Sequence, residues 1–201
     1  MTETVRDEIT QLAASIRALE RRLEEALARR RVELNYKVHD GVAHFEQVMI
    51  ARHRLLKTRL SSYLLGARPA MILTAPAIYA LIIPLLLLDL FVAVYQAACF
   101  PVYGIPRVAR SDYLVFDRGR LAYLNAVEKL NCAYCSYANG LLAYVREVAS
   151  RTEEYWCPIK HAGRVLGVHA RYGDFVDYGD ADAYRHELER LRAKARSADA
   201  E

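Results

Sequence analysis

The sequence contains none of the residue patterns that define a reaction: it has no recognisable nucleophile triad, phosphate-binding loop or pair of catalytic carboxylates. Its 201 residues are 54% hydrophobic and 26% charged, enough for one ordinary domain or for several small elements if part of the chain lies in lipid. We therefore expect a non-enzymatic role.

Charge is almost absent between Pro69 and Pro106, where Asp89 is the only charged residue. The 20 uncharged residues of Pro69–Leu88 suffice to cross a hydrocarbon layer of about 30 Å, and the 17 residues of Leu90–Pro106 suffice for a tilted or re-entrant segment. A turn near Asp89 would bring its carboxylate to the far headgroups. We therefore expect an apolar helical hairpin at residues 67–106, with a single span as the alternative.

Basic residues flank the apolar stretch on both sides, with arginines and Lys57 before it and arginines after it, and the positive-inside rule keeps both flanks in the cytoplasm. The first residues also lack the basic start and apolar run of a secretory signal. These patterns predict a lipid bilayer as partner and cytoplasmic N- and C-terminal parts. The net charge of +4 and the pI of about 8.9 are mild, so no nucleic acid is expected.

Residues 1–31 carry apolar residues at alternating steps of four and three, which places them on one helical seam. They are Val5, Ile9, Leu12, Ile16, Leu19 and Leu23. This spacing predicts a coiled-coil-like helix and a homo-oligomer formed through it. An ordinary amphipathic helix explains the same spacing.

Residues 32–66 carry two further local signals. Alternating polarity on either side of His39-Asp40-Gly41 predicts a small β-hairpin, because glycine tolerates the positive φ of a tight reversal. From Glu46 to Leu65, apolar residues at helical spacing are mixed with basic ones, which predicts a basic amphipathic helix at a lipid surface or packed on protein.

Four residues form the candidate metal site: Cys132, Cys135, Cys157 and His161. On helices, spacings of three and four place each pair on one face, and three sulfurs with one imidazole suit zinc, iron or an iron–sulfur cluster. Paired cysteines in a reducing compartment favour metal or redox chemistry over a structural disulfide. Two other interpretations remain: small buried hydrophobes, or dithiol exchange between Cys132 and Cys135.

Elements around these residues are predicted from pattern. Asp112–Phe116 is expected as a strand, and a helix from about Leu121 is expected to break or kink at Asn139-Gly140. A polar final helix capped by Asp180 or Asp182 is expected to reach about Arg196.

The strings Asn131-Cys-Ala-Tyr-Cys-Ser-Tyr-Ala-Asn-Gly140 and Tyr155-Trp-Cys-Pro-Ile-Lys-His-Ala162 resemble a family of bacterial membrane-associated proteins for which no activity is established. The resemblance covers most of the chain after Leu34. Together with the basic flanks, it implies a protein of the bacterial inner membrane.

The predicted fold class is mainly α: a membrane-associated helical protein with an apolar helical hairpin, short β-hairpins and a small cysteine-rich helical domain. The expected organisation is a helix at 1–31, a hairpin and basic helix at 32–66, a membrane segment at 67–106, a Cys/His domain at 107–178 and a polar helix at 179–201. The predicted function is a membrane-anchored metal-binding protein with a structural cytosolic zinc or iron site. The alternatives are a membrane-anchored redox protein and an assembly scaffold with inert cysteines.

Overall fold

The structure is a computed structural model that describes residues 2–34, 36–39 and 42–197. It is mainly helical, as predicted, and within the described residues its strands form one short hairpin. The chain divides into two compact units, Met1–Arg59 with Arg120–Asn125, and Leu60–Gly119 with Ala126–Glu201. The first unit holds the N-terminal helix and the hairpin, and the second holds the apolar block and all four cysteines.

The first unit begins with one long helix and a hairpin. Helix α1 is Thr2–Glu33, strand β1 is Tyr36–His39, strand β2 is Val42–Phe45 and helix α2 is Gln47–Leu55. The strands are antiparallel with Tyr36 opposite Phe45, which confirms the predicted β-hairpin, although its reversal at residues 40 and 41 lies outside the described residues. Helix α1 is confirmed as a helix, and its apolar seam is exposed where its side chains are described.

Aromatic contacts join the distant segment Arg120–Asn125 to this unit. The rings of Tyr36 and Phe45 lie 5.2 Å apart, those of Phe45 and His53 5.1 Å, and those of His53 and Tyr123 5.1 Å. These spacings are those of favourable edge-to-face or tilted ring pairs. The hairpin, α2 and the later segment are therefore linked by one row of rings.

The single basic helix predicted from Glu46 to Leu65 is wrong, because α2 ends at Leu55 and helix α3 is a separate element at Leu60–Leu65. The intervening residues include Lys57 and Arg59, and no acidic residue lies between Glu46 and Asp89. No ion pair between residues four apart can therefore support a continuous helix, while neighbouring positive charges oppose one.

The second unit contains four longer helices. They are α4 at Pro69–Ala80, α5 at Ile82–Tyr103, α6 at Ala126–Trp156 and α7 at Ala181–Ser197. Helix α5 is capped by Gly104, whose φ of 64° is left-handed, and the backbone N of the next residue, Ile105, donates to the Phe100 carbonyl over 2.9 Å. This closure satisfies a terminal carbonyl and turns the chain. Asp180 accepts from the Ala183 backbone N at 3.0 Å, which confirms the predicted cap of α7.

The predicted apolar hairpin does not turn at Asp89. Over the described residues, one helical stretch is long and apolar enough to cross a bilayer: Pro69–Tyr103, 35 residues with a mean hydropathy of 2.6 over its most apolar window, of which 6% is buried. Asp89 lies inside α5, so residues 90–103 continue the same helix instead of returning as a second crossing. A lone charge within an apolar run predicts the end of a segment, whereas Asp89 is paired within the fold.

The junction between α4 and α5 follows from Pro84. Proline has no backbone N–H, and its ring collides with the carbonyl four residues earlier, here that of Ala80. The helix accordingly tightens at Leu81, whose backbone N donates to the Ile78 carbonyl at 3.3 Å. Pro84 therefore interrupts the helix between α4 and α5 without ending the apolar stretch.

Helices α5 and α6 run in the same direction. Four contacts along the apolar stretch and α6 have residue numbers that rise together. These are Ile78 with Tyr134, Asp89 with Tyr137, Gln96 with Tyr144, and Tyr103 with Tyr155. A parallel pair requires a connection that travels back along the helices, and residues 105–119, named here the return segment, do so. Their buried residues Ile105 and Val108 pack in one core with Phe100, Leu141 and Val148.

Gly140 permits the return segment to cross α6 closely. A Cβ at this position would lie 2.5 Å from the Tyr113 carbonyl oxygen and 3.2 Å from Leu114 Cα. The prediction of a break at Asn139-Gly140 is therefore wrong: α6 is continuous, and the glycine serves packing. The strand predicted at Asp112–Phe116 is also absent, because a 3-10 turn at Arg110–Asp112 and an irregular segment pack there instead.

Candidate functional site

Asp89 forms a polar cluster with Arg110 and Tyr137, named here the Asp89 cluster. Arg110 donates from Nη1 to Asp89 Oδ1 at 2.7 Å and from Nη2 to Oδ2 at 2.6 Å. The Tyr137 hydroxyl donates to Oδ2 at 2.8 Å. The Asp89 side chain is only 8% exposed, whereas that of Arg110 is 48% exposed. The cluster therefore joins α5, the return segment and α6 through one buried carboxylate.

The physical reason for the cluster is the cost of a buried charge. A carboxylate in an apolar setting requires a cation and hydrogen-bond donors, and a two-pronged guanidinium contact supplies both. Burial, a hydrogen bond to Asp89 and the charge of Asp89 together raise the pKa of Tyr137 to about 12. The phenol therefore stays protonated and donating at neutral pH. Every group of the Asp89 cluster is paired with another group of the cluster, so the cluster serves to hold α5, the return segment and α6 together.

A second buried polar contact lies further along α5, at Gln96. Its Oε1 accepts from the Val108 backbone N at 2.9 Å, and its Nε2 donates to the Val108 carbonyl at 3.3 Å and to the Tyr144 hydroxyl at 3.2 Å. The side-chain amide thus pairs with the return segment on both sides. Because buried amides are costly when unpaired, this contact sets the position of the return segment along α5.

A third network surrounds Glu147 on α6. Arg151 Nε and Arg171 Nη1 each donate to Glu147 at 2.9 Å, and Arg171 also lies 3.1 Å from Glu154. Burial alone would raise the pKa of Glu147, but the hydrogen bonds from Arg171 and Arg151 outweigh it and lower the pKa below its usual value. Arg151 in addition donates to the Pro106 carbonyl at 2.6 Å, which ties α6 to the start of the return segment.

A cavity of about 470 Å³ adjoins this network. Its charged lining includes Arg151, Arg171, Lys194 and Glu154, and its apolar lining includes Ile105 and Leu191. Both arginines are already held by Glu147, and Lys194 lies 3.6 Å from Asp174. The cations of the cavity are therefore compensated by carboxylates of the fold.

The predicted metal ligands lie at opposite ends of α6. Cys132 is half-buried and Cys135 exposed near its beginning, whereas Cys157 is exposed directly after its end and His161 is exposed beyond it. The rise of 1.5 Å per residue separates Cys135 from Cys157 by about 33 Å along the axis, far more than the metal–sulfur bond of about 2.3 Å allows. Within the residues described, no group of three or more His, Cys, Asp or Glu side chains could hold a metal ion.

Cys132 and Cys135 share one face of α6 as predicted, whereas Cys157 and His161 do not share a helical face, because they lie beyond the helix in a segment where Ile159 forms a β-bridge with Val176. The backbone N of His161 donates to the Tyr172 hydroxyl at 2.6 Å, and its ring stacks on Tyr172 at 6.3 Å. The difference follows from the length of α6, which continues without a break from Ala126 to Trp156 and keeps Cys135 and Cys157 far apart.

The partners of Asp89 are not among the residues predicted from the sequence, although the spacing of the tyrosines on α6 indicates the face that contains Tyr137. Tyr134, Tyr137, Tyr144 and Tyr155 follow one another at steps of three, seven and eleven, which is one helical face. This is the face of α6 that contacts α4 and α5. The arginine partner was the weaker signal, because several arginines follow the apolar stretch and only tertiary structure selects Arg110.

Comparisons with protein-family models, with curated proteins and with solved structures found no match to this chain.

Proposed function

We propose that this protein is a membrane-anchored assembly scaffold, in which residues 69–103 hold the second unit at a bilayer and α1 recruits another copy of the chain. The observation that carries the proposal is that the longest apolar helix exposes its hydrocarbon side chains, while its polar groups face inward and are engaged by protein. The hydrogen-bond and ion-pair networks around Asp89, Gln96 and Glu147 hold these helices together. The predicted setting is the bacterial inner membrane with the polar parts in the cytoplasm.

The exposed side of α5 indicates how lipid would be contacted. Ile83, Leu87, Leu90 and Val94 are 62%, 52%, 59% and 57% exposed, and their spacing of four, three and four places them on one face. The opposite face packs on α6 and on the return segment, which carries charged residues. Lipid is therefore proposed to contact α4 and one side of α5, in the manner of a helix lying in an interface, with α6 on the aqueous side.

Vesicle flotation tests the anchoring. We expect Leu90→Lys to reduce the fraction of protein that floats with phosphatidylethanolamine–phosphatidylglycerol vesicles, because the lysine replaces an apolar side chain on the face proposed to contact lipid. Leu142→Lys on α6 is the matched control, since Leu142 is exposed to a similar extent, 53%, but lies outside the apolar stretch. Equal flotation of the two variants would refute this arrangement of the anchor.

A truncated chain tests the scaffold. Removal of residues 2–33, which form α1, is expected to reduce the size of the detergent-solubilised assembly and to leave flotation unchanged. An unchanged assembly size would contradict recruitment through α1, whereas lost flotation would contradict anchoring by residues 69–103.

Metal analysis of the same preparation separates the scaffold from the metal-binding function predicted from the sequence. The scaffold with inert cysteines predicts substoichiometric zinc and iron, unchanged in Cys132→Ser. One equivalent of metal that is lost in this variant would restore the metal-binding proposal, and it would require ligands from more than one chain or a bent α6.

A further inference from the structure

The apolar seam of α1 is open along the length of the helix that has described side chains. Leu12, Ile16, Leu19 and Leu23 are 58%, 57%, 60% and 59% exposed. Four large apolar side chains on one face of a polar helix exceed the scattered exposure typical of a monomer surface. In heptad terms Ile16 and Leu23 occupy position a, and Leu12 and Leu19 occupy position d.

The apolar seam of α1 is complementary to the same seam of a second copy when the two helices run in opposite directions. In an antiparallel pair centred on Ala14, Leu12 of one chain faces Ile16 of the other, because position a meets position d. Leu19 and Leu23 then face positions 9 and 5, which are isoleucine and valine in the sequence. Each apolar position of the seam therefore meets another apolar position.

The charges beside the seam distinguish the two directions. Glu8 and Arg22 both occupy position g and are exposed. In the antiparallel pair centred on Ala14 they face each other twice, as Glu8 with Arg22 of the copy and Arg22 with Glu8 of the copy. In a parallel pair, position g meets the following position e. Glu8 would then face position 13, an alanine, and Arg22 would face Leu27.

We infer that α1 pairs with α1 of a second copy as an antiparallel two-stranded coiled coil centred on Ala14. Isoleucine at a with leucine at d favours two strands, but that preference is known for parallel pairs, so the flanking charges decide the direction. This inference rests on the proposed recruitment of a second copy and adds its orientation and register.

Charge reversal tests the register in the detergent-solubilised full chain by analytical ultracentrifugation. Glu8→Arg and Arg22→Glu each create two like-charge pairs in the homodimer, so each is expected to weaken dimerisation by about fivefold to thirtyfold. An equimolar mixture of the two variants forms heterodimers in which both pairs are again complementary, and affinity is expected to return to that of the wild type. Unchanged affinity of both single variants would overturn the proposed register.

Distances between spin labels test the direction independently. Ala14 and Ala28 occupy the same heptad position and are both exposed, and labels can be introduced as Ala14→Cys or Ala28→Cys in a chain whose native cysteines are replaced by serine. In the antiparallel pair, labels at 28 lie about 42 Å apart along the axis, whereas labels at 14 lie at the same height. A parallel pair gives similar short distances at both positions.

The charge-reversal and spin-label results together distinguish a wrong helix direction from a wrong scaffold. A long distance at 28 with a short one at 14, together with rescue in the mixture, supports the inference. Short distances at both positions overturn the antiparallel arrangement and leave the proposed scaffold intact. A wild-type chain that sediments as a monomer at every concentration overturns both, and vesicle flotation still reports on the anchor separately.

Discussion

Replacement of Gly140 by alanine tests the parallel arrangement of α5 and α6 directly. The added Cβ would lie 2.5 Å from the Tyr113 carbonyl oxygen and 3.2 Å from the Tyr113 carbonyl carbon. These are backbone atoms, which cannot rotate away as the end of a side chain can. The return segment would therefore have to move outward from α6, and Arg110, three residues before Tyr113, would move with it.

The expected magnitude follows from three contributions. Overpacking costs about 1–3 kcal/mol, and weakening of the charged hydrogen bonds between Arg110 and Asp89 costs about 1.5–3 kcal/mol. Alanine is better than glycine inside a helix by about 1 kcal/mol, which offsets part of the loss. We expect Gly140→Ala to lower the free energy of unfolding by about 1.5–5 kcal/mol, although the higher helix propensity of alanine alone would raise it.

Urea unfolding in detergent measures this change, because Trp156 is the only tryptophan and lies at the end of α6. Its fluorescence therefore follows the second unit, and linear extrapolation gives the free energy of unfolding. Gly163→Ala is the control: no atom lies within 4 Å of its added Cβ, so a change within about 0.5 kcal/mol is expected. If Gly140→Ala is as stable as the wild type or more stable, the close crossing is refuted.

Two other predictions concern the buried networks. Arg110→Ala should lower the free energy of unfolding of the second unit by about 3 kcal/mol, which is more than Asp89→Ala should lower it. Loss of Arg110 leaves a buried carboxylate without its cation, whereas loss of Asp89 leaves a half-exposed arginine that can be hydrated. In a double-mutant cycle the two changes should couple by about 1–3 kcal/mol, and strict additivity would contradict the pair. Glu147 has a folded-state pKa below the usual 4.5, so its contribution to stability is full above pH 4.5 and is lost as the pH falls through the lower folded-state value. Denaturation midpoints between neutral pH and pH 3 should fall less in Glu147→Gln than in the wild type, and parallel curves would argue against this role.

Local signals in the sequence predicted the elements that depend on neighbouring residues. Alternating polarity around an Asp-Gly pair located the β-hairpin, and Asp180 located the start of α7. Helix α1 follows from the spacing of its apolar residues. In each case the deciding interactions connect residues a few positions apart, so a single sequence is sufficient.

Interactions between distant residues produced the errors. A lone Asp89 between two apolar runs predicts the end of a membrane crossing, whereas its cation lies 21 residues later, on a segment whose return path no local pattern specifies. The pair Asn139-Gly140 predicts a break in the helix, whereas the role of Gly140 is defined by the carbonyl of Tyr113. The metal site does not assemble within one chain, because the continuous helix α6 holds Cys132 and Cys135 near its beginning and leaves Cys157 and His161 beyond its end.

The parallel pairing of α5 and α6 has a consequence for synthesis of the chain. The hydrogen-bonded partners Asp89 and Tyr137 are 48 residues apart, and Tyr95 and Thr152 are 57 apart. At about 5–20 residues per second, a ribosome takes roughly 2–11 s to make the second partner after the first. During that interval the nascent α5 has emerged without the helix that covers its polar face, and Asp89 has no cation until Arg110 follows. The polar face of α5 therefore stays uncovered for that interval and obtains its partners only when the return segment and α6 pack on it.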